Sequence, residues 1–168
     1  MIGYGEEDNH FVIELTYNYG IRNYKMGNDF NHIKLTFSKE HFDSIRALAK
    51  SESNQQQQLI TAESDDGSSY ELTDPNGYKF QVNLSSSASG LARECCGVSL
   101  FVSDLDKSLN YWHTALLGRL NRRDDISSLL SLSFGNHERL STEFCLELRR
   151  RANDESIDRG TSYGRIAF

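Results

Sequence analysis

FVIEL (11–15) and FCLEL (144–148) are near copies of one another, 133 residues apart, and that spacing decides the fold. His32-Ile33 and Arg165-Ile166 stand at the same offset of 133, so in both copies a second strand position follows the glutamate by 18 residues. Half the offset works too. Gln81 lies 67 residues after Glu14 and 66 before Glu147, and Gly97 lies 65 after His32 and 68 before Arg165. Positions 14, 81 and 147 form one equivalent set, and 32, 97 and 165 another. The period is about 66 residues, long enough for a supersecondary unit that cannot bury its apolar face alone and must be covered by a neighbour.

The patterns inside one period give the unit. Phe11 to Tyr17 alternates apolar and polar residues, as does His32 to Phe37, and a period of two is the mark of a half-buried strand. Ser38 stands where a helix N-cap belongs, and Phe42, Ile45 and Leu48 follow at helical spacing to about Lys50. SESNQQQQ (51–58) reads as a polar loop. Short strands are expected near Leu59–Ala62 and Tyr70–Leu72, then a turn at Asp74-Pro75-Asn76-Gly77, then a strand over Tyr78–Leu84. After SSSASG (85–90) the pattern restarts. Val98–Val102 reads as a strand, and Ser103 with Asp106 has capping-box spacing. Leu105, Leu109, Trp112 and Leu116 mark a helix that Gly118 stops, and Leu129–Phe134 and Phe144–Leu148 are further strands. The unit is strand, helix, three strands. The expectation is an α+β fold of tandem βαβββ modules, with curled mixed sheets and helices on the outside. Residues 1–84 would hold the last strand of one module and all of a second, 85–94 a linker, and 95–168 a third module and the start of a fourth. Both ends are expected to cut through folded structure.

Composition excludes several classes. With 38% apolar and 25% charged residues the chain is not expected to be disordered, and no run approaches the ~18 apolar residues of a membrane span. A net charge of −6 disfavours a nucleic-acid partner. No secretory leader is read at the start. The three cysteines, two of them adjacent, are no disulfide framework and fit a reducing compartment. The expectation is cytoplasmic, or mitochondrial if the native chain begins upstream.

HFVIELTYNYG (10–20), NDFNHIKL (28–35), DPNGYKF (74–80) and VSLFVSDLDKSLNYW (98–112) resemble the vicinal oxygen chelate superfamily, which includes glyoxalase I and the bleomycin-resistance proteins. The resemblance covers nearly the whole chain. It implies a divalent metal ion of the Zn, Ni, Mn or Co type, held by two first-strand and two last-strand side chains of a module pair. Carried over residue by residue, Glu14 is a last-strand ligand, His32 a first-strand ligand, and Gln81 stands at a last-strand position; the fourth ligand would fall before Met1. The implied activity is that of a lactoylglutathione lyase, with a glutathione-derived hemithioacetal as small-molecule substrate and Glu14 as the catalytic carboxylate. Missing edge strands would favour a homodimer.

Departures from the family pattern point to an alternative. At position 81 an amide replaces the carboxylate that would shuttle the proton, and an amide accepts none. In the third module Gly97 has no side chain and Arg165 is a cation, which leaves Glu147 alone. These changes favour a non-catalytic binding module of the same fold. Each candidate also has a plain structural reading. Glu14 and His32 would be polar residues on a solvated strand face, Gln81 a strand residue between Lys79 and Asn83, and Glu147 an ion-pair partner of Arg149 or Arg165.

Overall fold

The structure, a computed structural model, describes residues 2–3, 6, 12–53, 58–85, 96–134, 144–151 and 155–162. Ten strands and two helices are present among them: β1 (Ile2–Gly3), β2 (Val12–Ile13), β3 (Phe30–Phe37), α1 (Lys39–Glu52), β4 (Ile60–Glu63), β5 (Ser69–Thr73), β6 (Lys79–Leu84), β7 (Cys96–Val102), α2 (Leu105–Leu109), β8 (Arg119–Asp124), β9 (Leu129–Phe134) and β10 (Phe144–Arg150). α2 continues into one π-helical turn, Asn110–Ala115.

Eight strands form one sheet in the order β4-β5-β6-β3-β7-β10-β9-β8. Each half has the same logic. The first strand lies parallel to the last (β3 with β6, β7 with β10), which requires a crossover, and α1 or α2 begins that crossover. The remaining strands are antiparallel neighbours. The two halves meet where β3 and β7 run antiparallel, with Ile33 opposite Val98 and Lys34 opposite Gly97. This mixed sheet with helices on one side is the α+β architecture expected from the periodicity.

One face of the sheet is apolar and carries both helices. Under α1, Phe42 and Ala49 pack with Ile60, Tyr70 and Val82, and the Tyr70 hydroxyl donates to the Phe42 carbonyl at 3.1 Å, so its buried oxygen is satisfied. Under α2, Leu130, Leu132, Leu146 and Leu148 are fully buried beneath Leu105, Leu109 and Trp112. A fully buried side chain of this size contributes roughly 1.5–3 kcal/mol, so these two clusters are the main source of stability.

Several elements differ from the sequence reading. Among the described residues of the alternating stretch 11–17, only Val12–Ile13 form a strand, β2, paired with β1 outside the large sheet. Leu15 and Tyr17 are 71% and 76% exposed, because alternation makes a strand only when a neighbour covers its apolar side. β8 went unread because RLNRRD has no alternation: it is an edge strand with one neighbour, and five of its six residues are exposed. The cap of α2 is Asp104, whose carboxylate accepts from the Lys107 amide at 3.0 Å, rather than Ser103. Ser38 does sit at the N-cap of α1, but its hydroxyl is bonded to His41 Nδ1 at 3.2 Å. The turn at 74–77 is as expected, with Gly77 at φ +93°.

Gly97 has a structural reason that its reading as a lost ligand did not include. A Cβ there would lie 2.1 Å from the Cys145 carbonyl oxygen on β10. No side chain fits between β7 and β10 at that point. Gly97→Ala is expected to destabilise the protein by about 1–3 kcal/mol through forced separation of these strands. Urea unfolding measures this, and a variant as stable as the parent would show that the strands do not approach so closely.

Candidate functional site

The face opposite the helices is polar, and strand alternation decides what it displays. On β3, Ile33, Leu35 and Phe37 take one side, leaving His32 and Lys34 on the other. Lys34 pairs in register with Gln81 on β6 and Gly97 on β7; His32 pairs with Ser99, Ser99 with Glu147, and Glu147 with Ser131. The register therefore lines up Gln81, Lys34 and Gly97 in one row, and His32, Ser99, Glu147 and Ser131 in the next.

Glu147 is the centre of this face. It is 4% exposed, yet its carboxylate has three donors. Lys34 Nζ reaches Oε2 at 3.0 Å, while Arg149 Nε and Ser99 Oγ reach Oε1 at 2.7 and 3.2 Å. Ser99, fully buried, accepts in turn from Asn31 Nδ2 at 3.0 Å. Lys34 approaches diagonally from β3. Its direct neighbour on β7 is Gly97, so no side chain stands in its path. Burial pushes the Glu147 carboxyl up, but the Lys34 ammonium and the Arg149 guanidinium outweigh it and hold the group at about 2. The carboxylate stays ionised and fully engaged.

His32 lies beside this network, 5% exposed, with its Nε2 atom buried and without a hydrogen-bond partner. Burial lowers its pKa from 6.5 to about 4, against the opposing pull of Glu147. The imidazole is neutral at physiological pH, with one polar nitrogen left unsatisfied.

Of the residues read from sequence as metal ligands, His32 and Gln81 share this face through β3 and β6. Glu14 follows β2, is exposed, and lies outside the eight-stranded sheet. The module seen beside β3 is the following one, which contributes Glu147. The ion-pair reading of Glu147 is correct for Arg149, and Arg165 lies outside the described residues. Lys34 was missed, although a cation two residues from His32 on the same strand face was a visible signal.

The donor set does not fit a divalent ion. Both Glu147 oxygens are engaged, Gly97 offers nothing, Gln81 offers only an amide, and a lysine ammonium stands in the middle. Among the described residues no three His, Cys, Asp or Glu side chains cluster as a metal site.

No family model matches the sequence. In three dimensions, a glyoxalase I variant from Zea mays superimposes with a TM-score of 0.72 at 24% identity, over 97% of this chain and 57% of that one. The fold is that of the vicinal oxygen chelate proteins. Within that class this is a glyoxalase-type protein. It is 36% identical to glyoxalase 1 of Caenorhabditis briggsae and 34% identical to glyoxalase domain-containing protein 4 of Mus musculus, each over all 168 residues. The chain spans about half the length of these curated relatives.

Two stability predictions follow from the geometry. On acidification the unfolded chain protonates His32 near pH 6.5, while the folded chain resists until about pH 4. Over that window the unfolded state holds the extra proton, so stability falls with falling pH, by about 3 kcal/mol in total for a shift of this size. His32→Gln should flatten the urea-midpoint profile between pH 6.5 and 4; a profile as steep as the parent's would place the loss elsewhere. Glu147, with its depressed pKa, accounts for further loss only from the ordinary carboxylate range down to about pH 2. Glu147→Leu should cost about 2 kcal/mol at neutral pH by stranding Lys34 and Arg149, a figure reduced for their partial exposure. Adding Lys34→Met should then cost less than the sum of the single changes by about 1 kcal/mol. Strict additivity in this double-mutant cycle would mean that the pair does not interact.

Proposed function

We propose that the polar face of the joined modules binds a small anionic molecule carrying adjacent oxygens, without a resident divalent ion, as a binding module of the glyoxalase type. The observation that carries this reading is the engagement of Glu147 by Lys34, Arg149 and Ser99, since a carboxylate so occupied is no metal ligand or base. An ammonium has three donors and a guanidinium five, so Lys34 and Arg149 keep N–H groups for a ligand carboxylate after bonding Glu147. A buried polar atom without a partner costs free energy, and a ligand hydroxyl or carbonyl placed at His32 Nε2 would remove that cost. The family resemblance directs the choice of ligand to glutathione derivatives.

A second reading is supported by the same His32. A neutral imidazole with an unpartnered nitrogen is the form that ligates a metal. Under that reading His32, Gln81 and Glu14 hold a divalent ion of the Zn, Ni, Mn or Co type, which when bound would polarise the substrate oxygens as a Lewis acid. Glu14 would have to be brought to the sheet, where it would be the carboxylate that accepts the substrate proton. The protein would then be a lyase of the lactoylglutathione lyase type. In both readings the two halves are repeats of one βαβββ unit, and the exposed edges β4 and β8 offer pairing to a second copy. The three cysteines, two of them adjacent and forming no disulfide framework, support a reducing compartment, cytoplasmic or mitochondrial. No helix among the described residues is long and apolar enough to cross a membrane.

Calorimetric titration with S-lactoylglutathione separates the readings. Binding in the presence of EDTA, unchanged by added zinc and weakened about tenfold or more by Lys34→Met, is the expected result; one lost charge-assisted contact is worth at least that factor. Binding that requires zinc and disappears in Glu14→Ala would establish the lyase-type site instead. Absence of binding under both conditions would rule out both.

A further inference from the structure

The resemblance implies a metal, and the face has a lysine where that metal's charge would be needed. We infer that Lys34 is the residue that keeps divalent ions off this face, its ammonium serving as the fixed cation between the two halves of the sheet. The inference deepens the metal-free binding reading and rests on it.

Three observations carry it. First, the register places Lys34 beside Gln81 and Gly97, within the row of positions that the two modules contribute to their shared face. Second, its ammonium is 3.0 Å from Glu147 Oε2, while the carboxylate in the lysine's row, Glu71 opposite Gln81, is already bonded by Lys79 and Thr61. A divalent ion at Glu147 would have to displace the ammonium or sit against it, and like charges at such distances in a poorly solvated site repel strongly. Third, the remaining donors are present and ready. His32 Nε2 is buried without a partner, Gln81 presents an amide next to the lysine, and Ser99 Oγ lies at Glu147. With the ammonium gone, Glu147 Oε2 would join His32 Nε2 as a second unoccupied donor, with the amide oxygen, the hydroxyl and water to complete a shell. The neighbour of Lys34 on β7 is Gly97, which brings no side chain beside the lysine stem, and Gly97 is itself required by the approach of Cys145. The same glycine therefore removes a ligand position and admits the cation that replaces the metal.

The test uses cobalt(II) chloride as probe on the 168-residue chain, read by its visible absorption bands and by the unfolding temperature. The parent and Lys34→Arg, which keeps the positive charge, should show no saturable cobalt band and no change in unfolding temperature. Lys34→Met should show a saturable band of one ion per chain and a raised unfolding temperature, because a ligand that binds only the folded state stabilises it. Both gains should vanish in Lys34→Met/His32→Ala. If Lys34→Met does not melt cooperatively, Lys34→Gln replaces it. A cobalt band in the parent that is lost on His32→Ala overturns the inference. So does a folded Lys34→Met or Lys34→Gln chain that binds no cobalt. S-lactoylglutathione titrated in EDTA against the same parent preparation reports separately on the binding reading, so a failure of one is distinguished from a failure of the other.

Discussion

β3 and β7 lie side by side and antiparallel, and the register of that pairing organises everything else on the polar face. It sets Lys34 opposite Gly97 and His32 opposite Ser99, with a bulge between Phe30 and His32 that shifts the strand by one residue. Because side chains alternate along a strand, a slip of one residue would send His32 and Lys34 into the helix-covered core and bring Ile33 and Leu35 to the polar face. The two apolar clusters, one under each helix, resist such a slip, since each buries its large side chains only in the observed register. The core on one face thereby holds the chemistry on the other.

Burial of Glu147 is the second constraint. A carboxylate with almost no contact with water is tolerated only when paired and hydrogen-bonded, and each of its partners comes from a different source: Lys34 from the other half of the sheet, Arg149 from its own strand, Ser99 from the neighbouring strand. Small side chains make room for it, with Ser99 and Ser131 opposite it on either side. His32 is the exception in this otherwise satisfied neighbourhood. An orphaned buried nitrogen beside an ion-pair network is the feature on which the proposed ligand face rests.

Much of the architecture was legible along the chain. Alternation located β3 and β6, and helical spacing located α1 and α2; Arg165-Ile166, one end of the 133-residue offset, lies outside the described residues. These signals are local or periodic, so a one-dimensional reading catches them. β8 was illegible because an exposed edge strand needs no apolar pattern, and 11–17 was misread because its pattern lacks the covering layer that alternation presupposes. On the candidate site, the sequence identified His32 and the weakness of positions 81 and 97 as ligands. It paired Glu147 correctly with Arg149. It placed Lys34 on the strand face of His32 but not against Glu147, since nothing in a linear reading tells which strand will face Gly97.

The amino-acid sequence by itself determined the βαβββ order, the apolar and polar faces of the strands and the departures from the family's ligand pattern, because each depends on residue type and short-range spacing. Only the tertiary structure decided which module lies beside which. That choice set Glu147 against Lys34 and left Glu14 outside the sheet, because contacts between strands more than sixty residues apart depend on registers that no local pattern encodes.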